Sequence, residues 1–151
     1  MTQLSSVKDA TTVEETRAIM AEQLAGFVPE FELEEKAELA FKINQLKREK
    51  NAVILGHNYM EPALYHTIPD YTGDSLALSR ISARTDAAII LFCGVTFMAE
   101  TAKILCPDKT VLCPVEKAGC SLAEGIAVED VRALKAAYPG AVVVTYVNTY
   151  A

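Results

Sequence analysis

No long apolar run occurs in this sequence. The longest, AAIILFCGV at 87–95, falls well short of the ~18 residues a membrane-spanning helix requires. The opening stretch, MTQLSSVKDATTVEE, is polar and acidic and lacks the basic and apolar regions of a secretion signal. Basic residues are outnumbered, 14 Lys and Arg against 20 Asp and Glu, for a net charge of −6. That balance argues against nucleic acid and anionic membrane as main partners, because both are gripped by clustered cations. There is no CxxC pair, so spacing alone announces no zinc site. Neither GxGxxG nor GxxxxGK[ST] is present, which removes the defining signals of dinucleotide and P-loop sites. No internal repeat, low-complexity segment or Gly/Ser linker is evident. The expectation is a soluble cytoplasmic protein, either an enzyme or a binding domain.

What remains is enough for a folded unit. At 151 residues, 51% hydrophobic and 23% charged, the chain fits one globular domain with a proper core. Four cysteines stand at 93, 106, 113 and 120. With no secretion signal they are expected to be free thiols.

The N-terminal third reads as helical. Residues to about 11 form a loose polar lead, and Thr12 with Glu15 predicts a capping box opening a helix over 13–25. Gly26 and Pro29 would end it. A second helix is expected over 33–50, with Leu39, Ala40, Ile43 and Leu46 on one face and Glu32–Lys36 and Glu38–Lys42 as exposed i,i+4 pairs. After Lys50 the texture changes. Strand-length apolar runs at 52–55, 87–92, 110–113 and 141–147 alternate with helical stretches at 74–83, 97–105 and 128–138. Continuous apolar strands are buried on both faces, so the pattern predicts an α/β layered domain with a parallel sheet.

Ligands in such sheets bind beyond the carboxyl ends of the strands, so the residues following each strand carry the functional weight. The first strand runs into Gly56-His57-Asn58-Tyr59. His57 can orient an anion or shuttle protons, and Tyr59 can donate a proton or a hydrogen bond. The plainer alternative is a packed, turn-capping pair. Gly73-Asp74-Ser75 opens the next helix, either as an ordinary N-cap or as an anion site using the free N–H groups there. Phe97 and Met98 read as core, and Glu100 and Lys103 as a solvated helix face. Cys93, Cys106 and Cys113 read as structural small hydrophobes. Cys120 sits in the small-residue loop KAGCS on the ligand side, where a thiolate can bind a soft metal or an iron–sulfur cluster, or be incidental. Tyr146-Val147-Asn148 ends the last predicted strand, as a simple strand end or as groups directed at the same pocket.

Taken in order, AVILGHNYMEPAL, GDSLALSR, GVTFMAETAKILCPDK, KAGCSLA and VVVTYVNT closely resemble the quinolinate synthase family of NAD biosynthesis. The likeness covers about two-thirds of the chain, from roughly residue 50 onward. It implies one of three α/β domains related by pseudo-threefold symmetry, each giving one cysteine to a central 4Fe–4S cluster with an open iron. It also implies condensation of iminoaspartate with dihydroxyacetone phosphate to quinolinate, phosphate and water, with the cluster acting as a Lewis acid and no net electron transfer. By motif, Cys120 resembles the first cluster ligand, His57 an iminoaspartate contact, and Tyr59 the proton-handling phenol. Ser75 resembles the helix-start serine on a substrate anion, and Tyr146, Val147 and Asn148 the substrate-gripping segment. The other three cysteines match no ligand position, and Tyr150 stands where many members have a small hydroxyl residue.

The expected layout is therefore a leader and helix over 1–50, then a first domain and the start of the next over 51–151. The stop just after AVVVTYV reads as a truncation, with the second and third domains and two cluster cysteines missing, so this chain alone is expected to be inactive. A contact with the enzyme that produces iminoaspartate is a further implied partnership. The rival reading is a stand-alone α/β module that binds a small phosphorylated ligand, with Cys120 incidental.

Overall fold

The computed structural model describes residues 6–151. Its strands are β1 (Ala52–His57), β2 (Tyr71–Gly73), β3 (Ile89–Cys93) and β4 (Thr110–Leu112). They form one parallel sheet in the order β2-β1-β3-β4. The helices are α1 (Val13–Gln23), α2 (Glu30–Glu49), α3 (Pro62–Thr67), α4 (Ser75–Ser82), α5 (Thr96–Leu105) and α6 (Val128–Ala137). The α/β parallel-sheet class expected from the sequence is the one found. No helix among the described residues is long and apolar enough to cross a membrane.

Alternation along the strands explains their near-continuous apolar character. Val53, Leu55, Ile90 and Phe92 face one side, where α4 contributes Leu78 and α5 contributes Phe97, Met98 and Ala102. Ile54 and Cys93 face the other, against Met20 of α1, Leu33, Ala37 and Ala40 of α2, and Ala63 of α3. Phe97 and Met98 are each 1% exposed, as their reading as core required.

Several expectations need correction. The lead is not loose throughout, because residues Val7–Asp9 form a 3-10 turn that buries Val7. Asn44 Nδ2 donates to Val7 O at 3.5 Å and an Arg48 guanidinium N–H to Lys8 O at 2.9 Å, pinning this turn to α2. Residues 1–5 of the lead lie outside the described residues. Thr12 does cap α1, accepting from Glu15 N–H at 3.1 Å, but the Glu15 carboxylate bonds Thr11 N–H and Oγ1 rather than closing the box on Thr12. In α2 the buried stripe is Leu33, Ala37, Ala40 and Asn44, while Leu39 and Leu46 are 52% and 53% exposed. The small residues let α2 approach α1 closely, which rotates the two leucines outward. Both Glu–Lys pairs on α2 form, at 3.5 and 3.2 Å.

The fourth expected strand is absent. Residues 141–147 pair with no described strand, and Val142 and Val144 are 85% and 89% exposed. β propensity reflects fit to a half-buried pleated surface, and these valines have no such surface beside them. Conversely, α3 and β2 were not foreseen. β2 has only three residues and is organised by its predecessor, Asp70. Asp70 N–H donates to Ile54 O at 2.8 Å, and its Oδ2 accepts from Ile54 N–H at 2.9 Å. Oδ1 meets Lys47 Nζ of α2 at 2.8 Å, where the lysine side chain is 8% exposed. Replacing Asp70 by Ala strands a buried ammonium and the Ile54 N–H, so about 3 kcal/mol of stability should be lost in urea unfolding. Lys47→Met, which keeps the Asp70 bonds to β1, should cost clearly less; equal losses would contradict this account.

Candidate functional site

The strand order places a topological switch between β1 and β3. The chain leaves β1 toward β2 on one side and returns to β3 on the other, the arrangement in which sheets of this class bind ligands at the strands' carboxyl ends. His57 closes β1 and pairs in register with Gly73, the last residue of β2. Gly56 pairs with Cys93, the last residue of β3, and Gly94 follows. Two of these glycines are required by close approach. A Cβ on Gly56 would lie 2.5 Å from Pro69 Cγ, and one on Gly94 would lie 2.9 Å from Met98 Sδ and 3.4 Å from His57 Cβ.

His57 is only 4% exposed at the carboxyl end of β1. Burial pulls its pKa below 6.5, and the neighbouring Asp74 carboxylate partly opposes the shift. Tyr59 N–H donates to His57 Nδ1 at 3.4 Å, so in the neutral ring the proton sits on Nε2. The Tyr59 ring packs edge-on against the imidazole with centroids 4.2 Å apart, yet the residue is 79% exposed. The His57–Tyr59 pair is thus a buried hydrogen-bond donor beside a solvent-facing phenol.

The cap of α4 is Asp74, whose Oδ1 accepts from Ala77 N–H at 2.8 Å. Ser75 is therefore the first helical residue, buried at 6% exposure, and its Oγ makes no hydrogen bond among the described residues. The N–H groups of Ser75 and Leu76 have no acceptor within the helix, as at any helix start. They lie two and three residues beyond Gly73, which pairs with His57 at the end of β1.

Thr96 ties the cysteine loop to the same end of the sheet. It is the first residue of α5, directly after the β3 turn, and both its N–H (2.8 Å) and its Oγ1 (3.1 Å) donate to Ala118 O. Two residues on, Cys120 is half-buried, with its carbonyl accepting from Glu124 N–H at 2.9 Å. Sequence reading missed Thr96; a hydroxyl at a helix start after a strand was the available signal. Of the other cysteines, Cys93 and Cys106 are buried and Cys113 is half-buried. Cys106 Sγ donates to Ser82 O at 3.0 Å, and burial pushes the Cys93 thiol up to about 11. Lys103, expected to be merely solvated, donates to the carbonyls of Pro107 and Lys109 at 2.8 Å each.

Tyr146, Val147 and Asn148 are not gathered with these groups. No hydrogen bond among the described residues links them to His57, Tyr59 or Ser75. Their segment lies beside Thr101 and Ile104 of α5, tied down by Ala151 N–H to Glu100 at 3.0 Å and by Tyr150 Oη to Glu124 at 3.3 Å. Asn148 Oδ1 is buried there without a partner.

Fold and site together define a doubly wound α/β unit that presents a buried histidine, a helix start and a loop thiol at its switch point. The family model described as quinolinate synthetase A protein matches residues 41–151. The chain belongs to the quinolinate synthase family. It is 54% identical over 134 residues to the quinolinate synthase of Sinorhizobium fredii, covering 89% of this chain and 37% of that one. With the Caulobacter vibrioides quinolinate synthase it shares 52% over 139 residues, 92% of this chain and 38% of the relative. With quinolinate synthase 1 of Mesorhizobium japonicum the identity is 60% over 109 residues, 72% and 34% respectively. The chain thus spans little more than a third of the length of these relatives.

A pH dependence follows from His57. Because folding lowers its pKa, the unfolded chain binds the proton more readily between the lowered value and 6.5. This residue therefore costs stability as pH falls below 6.5, down to its folded pKa. Measured by urea unfolding from about pH 7.5 to about pH 5.5, the stability advantage of the native chain over His57→Gln should shrink. A constant difference across that range would refute the assignment.

Proposed function

We propose that this chain is the N-terminal portion of a quinolinate synthase of NAD biosynthesis, which condenses iminoaspartate with dihydroxyacetone phosphate. The observation that carries the reading is the convergence of His57, the α4 start and the Thr96-anchored Cys120 loop at one end of the sheet. The residues belong to the first of three similar domains, with α6 and the segment after it beginning the second.

The donor chemistry of Cys120 fits one corner of a 4Fe–4S cluster: a half-buried, soft thiol on a glycine-flanked loop. Among the described residues no group of three or more His, Cys, Asp or Glu could hold a metal ion, so the other thiolates come from the remaining polypeptide. When bound, a cluster with an open iron supplies Lewis acidity toward a hydroxyl or carboxylate oxygen. The chain's own residues do the rest. Neutral His57 donates from Nε2 to a substrate carboxylate, and its burial keeps water from competing for that bond. Tyr59, exposed at this end of the sheet, exchanges a proton with the substrate as the carbon–carbon and carbon–nitrogen bonds form and phosphate and water depart. Ser75 Oγ and the free N–H groups at the start of α4 hold the anionic end of the substrate. Tyr146, Val147 and Asn148 grip iminoaspartate once their segment is paired in the following domain, which gives Asn148 Oδ1 its missing partner.

Anaerobic iron–sulfur reconstitution tests the ligand assignment. The 151-residue chain alone should take up no stable, stoichiometric cluster, whereas the chain joined to the remainder of a relative should do so. In that longer protein, Cys120→Ala should abolish both the brown colour and turnover. His57→Ala and Tyr59→Phe should keep the colour and lower turnover by roughly 10²-fold or more. Full colour and activity in Cys120→Ala, with phosphate bound by the chain alone, would favour a stand-alone phosphate-binding module instead.

A further inference from the structure

The two faces of the sheet are not equally covered. Parallel register puts Ala52, Ile54, Ile89, Leu91 and Leu112 on one face. α2 shields the β1 side of this face through Ile43 and Leu46. Toward β4 the face opens into an apolar groove of about 220 Å³, where Leu46 and Leu112 remain 53% and 46% exposed. The charged side chains on it are those of Lys47, which is spent on Asp70, and Lys50, which is exposed at the rim. None of the described helices covers this groove. α4 and α5 are committed to the opposite face, and α6 buries no residue at all.

Parallel sheets are built with helices on both faces, because neither face tolerates water over its apolar rows. The missing cover has a source of sufficient length. The Sinorhizobium fredii relative aligns to this chain over only 37% of its own length, so the family's polypeptide is far longer than these residues. We propose that the groove is the seat of an amphipathic helix from that additional polypeptide, lying beside α2 across β3 and β4. Its apolar stripe rests on Leu91 and Leu112, and an acidic residue on its flank meets Lys50. Helices packed side by side sit about 8–10 Å apart, the separation that would close the groove against α2. This inference rests on family membership and sheet geometry, not on the chemistry proposed above, and it can fail while that chemistry stands.

The test is the double variant Leu46→Glu with Leu112→Glu, made in the 151-residue chain and in the same chain joined to the remainder of the Sinorhizobium fredii relative. In the short chain both positions already face water, so the melting temperature should hold within about 2 °C. In the longer chain it should drop by roughly 5 °C or more, because two carboxylates are forced under a packed helix. Hydroxyl-radical footprinting should label Leu46 and Leu112 strongly in the short chain and at least about fivefold less in the longer one. Equal labelling in both chains, or equal tolerance of the variant, overturns the proposal. A short chain that sediments as a dimer and is made monomeric by the variant overturns it in favour of a second copy as the occupant.

Discussion

Asp70 joins three parts of the fold with one side chain and one peptide group. Its carboxylate receives Lys47 from α2 and the Ile54 N–H from β1, and its own N–H returns to Ile54 O. A buried ion pair is weak evidence of net stability, since an apolar replacement of similar shape often does as well. Its value here is register. β2 is three residues long and has exposed tyrosine and threonine side chains, too little to fix its own alignment against β1. Asp70 sets that alignment one residue before the strand begins, and every later position inherits it. A slip by one residue would no longer bring Gly73 opposite His57, and the start of α4 would move away from the end of β1.

From that alignment the electrostatics of this end of the sheet follow. His57 is desolvated by the strands on either side of it, which favours the neutral ring, while Asp74 pulls the other way. Asp74 also caps α4, so one carboxylate serves the helix and tempers the histidine. Its negative charge occupies part of the positive helix end. The anion proposed to bind there would meet directional donors, the N–H groups of Ser75 and Leu76 and the His57 Nε2–H, more than net positive charge. Such a site suits an acidic protein, because it needs no surface cations to recognise a carboxylate or phosphate.

The sequence was most legible where burial on both faces forces an apolar run. β1, β3 and the α4 and α5 helices were placed within a few residues because Val53, Leu55, Ile90 and Phe92 have no polar alternative. The position of His57 at the end of β1 was legible for the same reason, whereas Ser75 follows β2, a strand too short and polar to read from the sequence, and Cys120 stands on a loop eight residues past β4. What escaped notice depends on partners distant in sequence. Thr96 gains its meaning from Ala118 O, twenty-two positions on. β2 exists because of Asp70 and Ile54, and the stripe of α2 is decided by how closely Ala37 and Ala40 let α1 approach. Periodicity alone ranked Leu39 and Leu46 with the core, since it cannot tell a covered face from one bordering an open groove.

Two segments of similar texture make the point most sharply. AVILGHNY at 52–59 and AVVVTYVN at 141–148 both follow a helix and carry apolar residues into a polar end. The first lies between β2 and β3, is paired on both sides, and delivers a buried histidine. The second has no neighbour to pair with, leaves Val142 and Val144 in water, and carries Tyr146 to the flank of α5 rather than to the end of β1. Intrinsic preference is nearly equal in the two, so the difference is supplied by tertiary pairing. The same holds for α6, which buries no residue and leaves Val128 and Leu134, with Tyr138 just beyond its end, more than half exposed. A sheet end can therefore be fully formed while a segment of the same intrinsic preference stays unpaired beside it.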